Sequence, residues 1–464
     1  MIERLLANAL MKQALMKMLS SSVQTALWTL RRVDYHFGKT VVSLDTTAEV
    51  ADPYTSINRV REQGHILRSY MYNGWIVTGY EEVTQLMRDS RISNDFRNNS
   101  FLTRIVKFAA GGVPLLNIDH PTMLGVDAPD HTRLRKLAAH GFVFKYVQSL
   151  APTIERLVDE LLDDISPDCC NFDVMATLAK PLPAIVIAEM MGVPVDDRHL
   201  FERWSEALLG GTELVNPALI RESAVANVEM REYLAQLTES KRQNPGQDLI
   251  SHLIAAEEDG DKLTLDELYS NCILLLAAGH ETTTRLIGNC LYQLLQHSEQ
   301  MALARGSEAS LVNALEESLR YEPPVMYTAR TVKEPIAMNG EQLRPGQLLL
   351  LSFAGANRDP SANANPDVFD IKREKVTHVS FGYGIHLCLG MSLARLEAKI
   401  VFNRLFERFS SMEFAESAPN WGTNPMFRGL ETLTVRAEIR RSEPAVPVPD
   451  GAFQHSTVTE ILQH

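Results

Sequence analysis

Between residues 131 and 303 apolar side chains recur every three or four positions, the period of helices that bury one face. The segments 147–164, 182–191, 197–209, 218–243, 249–258 and 265–296 carry it. A further helix over 310–321 is stopped by Pro323-Pro324. Near the ends of the chain the period falls to two. Residues 66–78 alternate around Asn73-Gly74 and predict a β-hairpin. Residues 330–332, 336–338, 347–352, 412–414 and 433–440 predict short strands. Asp52-Pro53 opens a short helix that Gly64 ends, and 81–88 predicts another. Residues 93–119, with Gly111, Gly112 and Pro114, predict an irregular segment, and a loop that long is usually functional or mobile. Helices in the middle and small sheets toward both ends define a mainly α architecture of the α+β class.

The pattern runs without repeat or low-complexity linker, so residues 46–440 are expected to form a single domain. Residues 1–45 form an N-terminal extension in which Leu5, Leu6, Leu10, Leu15 and Leu19 suggest a helix. No window there holds 18 uninterrupted apolar residues, so no transmembrane span is expected. Glu3 and the lack of a compact apolar core before a cleavage site argue against a signal peptide. An apolar helical stripe more often packs on its own protein; peripheral membrane contact is the competing reading. Residues 441–464, with Pro444, Pro447 and Pro449, read as a mobile tail.

The 464 residues are ample for a large core. A net charge of −13 argues against nucleic-acid binding, which needs a basic face. The five cysteines, Cys169, Cys170, Cys272, Cys290 and Cys388, form no zinc-type pair and no disulfide framework. They suit a reducing, cytoplasmic setting.

Four constellations carry candidate chemistry. The first is Phe381-Gly382-Tyr383-Gly384-Ile385-His386-Leu387-Cys388-Leu389-Gly390, followed by a helix-compatible run. A lone cysteine is more often a buried, inert residue. Here glycines allow a large flat partner to approach, and a helix N-terminus nearby favours a thiolate. The second is Ala278-Gly279-His280-Glu281-Thr282-Thr283 within a helix apolar on all sides. Gly279 removes bulk, Thr282 offers a hydroxyl, and a buried Glu281 is costly unless paired or functional. The third is Glu317-Ser318-Leu319-Arg320, an i, i+3 pair that is usually a weak surface contact. The fourth is basic: His131 and Arg135 share one helix face, Arg133 points to the surface, and Arg330 follows in a strand.

The loop Phe-Gly-x-Gly-x-His-x-Cys-x-Gly resembles the haem-ligand loop of the cytochromes P450, and Ala-Gly-x-Glu-Thr-Thr resembles their oxygen-activation segment. The likeness extends over roughly residues 50–440 and is closest to the soluble bacterial members. It implies the cytochrome P450 fold, with haem b (iron-protoporphyrin IX) between a long central helix and the Cys388 loop. Cys388 would ligate iron. Phe381 and Gly279 would border the ring, and His131, Arg135, Arg330 and His386 would hold its propionates. Glu281 and Thr282 would deliver protons during oxygen activation. Glu317 and Arg320 would support the haem loop from below. The third charged partner that eukaryotic members use is missing, because Val368 stands at its position, and Arg358 and Arg373 are both candidates for the role.

The implied activity is a haem-thiolate monooxygenase that inserts one atom of O2 into a hydrophobic small molecule. A peroxide-dependent hydroxylase or decarboxylase of the same fold is the first alternative. A non-catalytic haem-thiolate sensor is the second. No flavin- or nicotinamide-binding stretch is visible, so electrons are expected from a separate ferredoxin and its NAD(P)H-dependent reductase. Arg395, Lys399 and Arg404, on the helix after Cys388, are candidates to dock that donor. Substrate-facing walls are expected from 93–119, 215–235, 273–278, 325–329 and 426–427.

Overall fold

The computed structural model describes residues 52–70, 72–165, 171–212, 216–255, 257–258, 261–415 and 419–440. The expected N-terminal extension, the mobile tail and Cys169-Cys170 lie outside the described residues.

Helix α1 (Pro53–Gln63) starts where Asp52 accepts the N–H groups of Tyr54 and Thr55, and Pro53 fills the first turn. The hairpin forms as expected, β1 (Ile66–Ser69) pairing antiparallel with β2 (Gly74–Val77). Asn73 takes the positive φ of the turn. At Gly74 any Cβ would fall 1.8 Å from the carbonyl oxygen of Leu348, so only glycine lets the neighbouring strand approach. Then come α2 (Tyr80–Leu86) and β3 (Ile92–Ser93).

The segment expected to be irregular holds a helix, α3 (Ser100–Ala109). Asn99 caps it by accepting the N–H of Leu102. Leu102, Val106 and Ala109 form a stripe that packs on Ile220 and Ala224. This amphipathic stripe outweighs the two glycines that follow it.

Six helices follow: α4 (Asp130–Ala139), α5 (Phe144–Ser149), α6 (Ala151–Asp163), α7 (Pro181–Met190), α8 (Arg198–Gly210) and α9 (Pro217–Gln243). The helix expected over 147–164 is thus two, broken at Leu150 ahead of Pro152. Between α6 and α7 lies a strand that the sequence pattern did not show, β4 (Asn171–Asp173). Helix α10 (Leu249–Ala255) ends earlier than expected, and Glu257–Glu258 pairs with Asp261–Lys262 as β5 and β6.

Helix α11 (Leu265–Gln296) runs through the middle of the core. Its 32 residues extend about 48 Å at the usual helical rise. Thr264 and Glu267 close a reciprocal capping box at its start. Twenty of its residues are buried, as an all-round apolar helix should be. Helices α12 (Ser298–Gly306) and α13 (Glu308–Tyr321) lead into β7 (Tyr327–Val332), β8 (Ile336–Met338), β9 (Glu341–Leu343) and β10 (Leu348–Ser352). Strand β10 is buried throughout and central: the main sheet runs β1-β2-β10-β7-β3. It pairs parallel with β2 and antiparallel with β7, which sets Arg330 opposite Leu349. Short α14 (Phe353–Asn357) precedes the Cys388 loop, and α15 (Met391–Arg408) follows it. Four strands close the fold: β11 (Phe409–Phe414), β12 (Asn420–Trp421), β13 (Leu430–Thr432) and β14 (Thr434–Ile439). Strand β14 lies between β11 and β4. No helix among the described residues is long and apolar enough to cross a membrane.

Candidate active site

A cavity of about 1190 Å³ separates the middle of α11 from the Cys388 loop. Its walls include Gly279, Glu281 and Thr282 on one side and Phe381, His386 and Cys388 on the other. His131, Arg135 and Arg330 close one end. All nine sequence-predicted site residues therefore meet around one space.

The Cys388 loop is shaped by its backbone. Gly382 and Gly384 adopt positive φ, and a Cβ at Gly384 would lie 2.6 Å from the carbonyl oxygen of Met87. The Cys388 N–H donates to the carbonyl of Phe381 at 2.8 Å. The sulfur is open to the cavity and otherwise walled in by protein. Burial raises the thiol above its ordinary value. The N–H groups of Gly390 and Met391 and the positive charges of Arg135 and Arg395 oppose that rise. A cation at the sulfur is what this set lacks to hold a thiolate.

The basic end has the complementary lack. His131 and His386 have ring centroids 4.2 Å apart. The Nδ1 of His131 is buried without a hydrogen-bond partner among the described residues. Burial brings Arg330 down to about 10. Burial, with Arg330, His131 and Arg135 close by, brings His386 down to about 3. Arg135 is lowered by burial, and its Nη2 donates to the Leu387 carbonyl at 2.6 Å. Asp127 is the acid nearby, yet Ser93 Oγ and the Asn94 N–H already donate to it at 2.7 and 3.0 Å. Buried cations that disfavour one another need anions, and two propionates meet that need. The residues present fit a haem.

Under the loop, Glu317 and Arg320 are fully buried and joined by two bonds of 2.7 Å. Arg373 supplies the third charge, its Nε 3.0 Å from Glu317 Oε1. Arg358 goes elsewhere, between the rings of Tyr54 and Tyr321 at 3.3 and 3.8 Å. Ser380, just before Phe381, donates to the Leu319 carbonyl at 2.6 Å and accepts from Asn357 at 2.8 Å. The charged cluster is thereby tied to the cysteine loop.

Several of these residues have partners that the sequence did not show. Arg133 is partly exposed and pairs with Glu267. An added Cβ at Gly279 would meet Ile187 Cδ1 at 3.6 Å, an ordinary contact, so a demand for glycine there comes from what occupies the cavity. Arg395 forms two bonds to Glu316, at 2.6 and 2.8 Å, and lies over the Phe381 ring. Lys399 pairs with Glu308, and Arg404 with Glu155, Asp159 and Glu407. These three charges are thus engaged within the chain. One partner in the site escaped sequence reasoning. Arg285 Nε is 3.3 Å from Glu281 Oε2, and the i, i+4 spacing was its signal.

A cysteine-bearing loop facing an acid–alcohol pair across a cavity, with cations at one end, fits a haem-dependent oxidoreductase. The family model described as "Cytochrome P450" matches residues 52–305 and 310–427. Cytochrome P450 107B1 of Saccharopolyspora erythraea is 41% identical over 392 residues, which cover 83% of this chain and 95% of that protein. Cytochrome P450 monooxygenase PikC of Streptomyces venezuelae is 40% identical over 395 residues, covering 83% and 91%. Among solved structures, P450BioI in complex with an acyl carrier protein ligated to hexadec-9Z-enoic acid is similar with a TM-score of 0.77 at 36% identity. That match covers 84% of this chain and 100% of the other. The chain belongs to the cytochrome P450 family. It is an oxidoreductase of the monooxygenase type, and its cofactor is haem.

Proposed function

We propose that this enzyme inserts one oxygen atom from O2 into a C–H bond, or across a double bond, of an apolar small molecule. The cofactor in this reading is haem b, ligated by Cys388. The observation that carries it is the meeting of Cys388 with Glu281 and Thr282 in one largely apolar cavity. Haem, when bound, supplies the activation of O2.

The chain's own residues do the rest. Gly390, Met391 and Arg135 stabilise negative charge on the Cys388 sulfur. His131, Arg135, Arg330 and His386 receive the two propionates and so fix the ring's orientation. Phe381 covers the sulfur side against water. The Thr282 hydroxyl donates to the Ala278 carbonyl at 2.8 Å while facing the cavity, so its oxygen is free to accept a proton and pass it on. Glu281 replenishes that proton. A peroxide-dependent enzyme or a sensor would have no use for this pair.

Substrate is gripped by apolar walls, among them Leu102, Val106, Ile187, Leu208, Leu274 and Phe427. Among the described residues the charged ones lining the cavity are Arg135, Arg330 and Glu281, of which the first two belong to the propionate end. A carboxylate deep on the substrate side would stand unpaired, which is costly, so the buried end of the substrate is uncharged. Electrons come from a separate ferredoxin-type protein and its NAD(P)H-dependent reductase. We place its docking face at exposed Val143, Phe144 and Ile385, with Lys145, which has no ion-pair partner among the described residues. Sparse cysteines, with Cys272 and Cys290 buried and unpaired, agree with a cytoplasmic setting.

Spectral titration tests the substrate class. Macrolides, terpenoids, steroids, fatty acids and a carrier-bound acyl chain are added to the ferric protein, and the spin state is followed. A hit is then run with a ferredoxin pair, NADH and O2. One product oxygen from O2 per NADH is expected. A spectral hit with no substrate-dependent NADH consumption would favour the sensor.

A further inference from the structure

Behind Glu281 lies a charged cluster that proton delivery through Thr282 alone leaves unexplained. Arg285 stands one turn further along α11, with its side chain only 6% exposed. Its Nε is 3.3 Å from Glu281 Oε2, yet neither Nε nor Nη1 makes a hydrogen bond among the described residues. The side chain runs in a slot made by two glycines: a Cβ on Gly429 would fall 2.5 Å from Arg285 Cγ. A Cβ on Gly422 would fall 3.3 Å from Arg285 Nη1 and 2.8 Å from Glu431 Oε1, so both groups border one point. Glu431 is half-exposed and binds Lys180 Nζ at 3.1 Å. His280 Nε2 is 3.1 Å from the Lys180 carbonyl. From α8, Glu202 and Glu206 face the same cluster. The Glu206 carboxyl is raised by burial and by its neighbours Glu202, Glu281 and Glu431.

We propose that Arg285 is a positioning residue that holds Glu281 between the cavity and an outward proton path formed by Glu431, Lys180 and Glu206. A guanidinium stays protonated, so it orients the carboxylate and does not carry the proton itself. Its two unused donors give the Glu281 oxygens, or a water between them, a second set of bonding positions. Glu281 thus has one station against the guanidinium and another at Thr282. A proton from solvent is taken up among the outer acids, moves to Glu281 and is released into the cavity. The proton moves between carboxylate and water oxygens while Lys180 keeps its charge, so only O–H bonds form and break, and the electrons for O2 reduction come from the separate donor. Neither Arg285 nor Glu431 touches the reacting atoms.

The inference rests on Glu281 being the acid that feeds Thr282, and the test separates the two. Glu281→Gln, Arg285→Gln, the double variant and Arg285→Lys are compared as haem-loaded proteins. Urea unfolding first reads the pair: the double variant should lose less stability than the two single losses combined. Turnover then reads positioning. Arg285→Gln should raise the fraction of electrons lost as peroxide at least threefold and enlarge the solvent deuterium effect, with substrate affinity unchanged. Arg285→Lys should restore most of the coupling. Additive stabilities, or Arg285→Gln coupled like the parent while Glu281→Gln uncouples, would overturn the role of Arg285. A fully coupled Glu281→Gln would instead remove the relay it rests on. If Arg285→Gln fails to fold, half-exposed Glu431→Gln takes its place. It should enlarge the deuterium effect with haem and substrate spectra intact, and an unchanged effect overturns the outward path.

Discussion

Arg373 Nε lies 3.0 Å from Glu317 Oε1, completing a buried three-charge cluster with Arg320 across 56 residues of chain. Arg373 also donates to the carbonyls of Asn365 and Val368 at 2.8 and 2.9 Å. Removing Arg373 leaves Glu317 paired with Arg320 but strips the bonds Arg373 makes, and a hydrogen bond to a charged group contributes about 1.5–3 kcal/mol. Arg373→Met should therefore destabilise the fold by about that amount and speed haem loss, as urea unfolding and haem transfer to a scavenger protein would measure. Arg358→Met, by contrast, leaves every bond to Glu317 in place. Equal haem loss in the two variants would contradict the assignment.

The cations at the other end of the cavity are held there against their own preference. Arg330 is buried and lowered to about 10, and its Nη1 donates to Thr328 Oγ1 and the Ala329 carbonyl. A hydrogen bond to a charged group contributes about 1.5–3 kcal/mol. Arg330→Leu should weaken haem affinity roughly tenfold or more by that measure, while apo-protein stability stays equal or rises. Haem titration of the apo form checks it.

Thr282→Ala removes the hydroxyl that faces the cavity and leaves the helix intact. Haem content and the substrate-induced spin shift should be unchanged. Hydrogen peroxide should account for most of the NADH consumed, as a coupled peroxide assay would show. Full coupling would take Thr282 out of the relay.

Glu397, on α15, is buried, its Oε2 has no hydrogen-bond partner among the described residues, and burial pushes it up to about 8. The folded state then binds a proton that the unfolded state has released above its ordinary value near 4.5. Stability from this group is full below that value and is lost as pH rises through about 8. Over pH 5–8 the parent should lose about 1.4 kcal/mol per pH unit relative to Glu397→Gln. Urea unfolding of both proteins across that range measures the difference. Parallel curves would contradict it.

Contacts between near neighbours were legible in the sequence; contacts across distance were not. The Cys388 loop, the Glu281–Thr282 pair and the helix starting at Met391 all follow from local spacing. Arg373 could be named as a candidate partner but not chosen, because folding alone brings it to Glu317. The charges of Arg395 and Lys399 looked free for the same reason, since Glu316 and Glu308 lie 79 and 91 positions away. Strand β4 is three residues long and exists by pairing with β14 near the C-terminus, beyond the reach of any window. Helix α3 was legible and missed: its Leu102-Val106-Ala109 stripe was overshadowed by Gly111, Gly112 and Pro114.

The central claim is that Cys388 binds the iron as a thiolate. Cys388→Ser leaves a side chain of similar size in the loop and removes the sulfur. The reduced carbon monoxide spectrum of the two proteins, recorded at equal haem content, tests the claim most directly. The account predicts the thiolate-type band in the parent and its complete loss in the variant, together with loss of oxygenation. A thiolate-type band that survives in Cys388→Ser would contradict it.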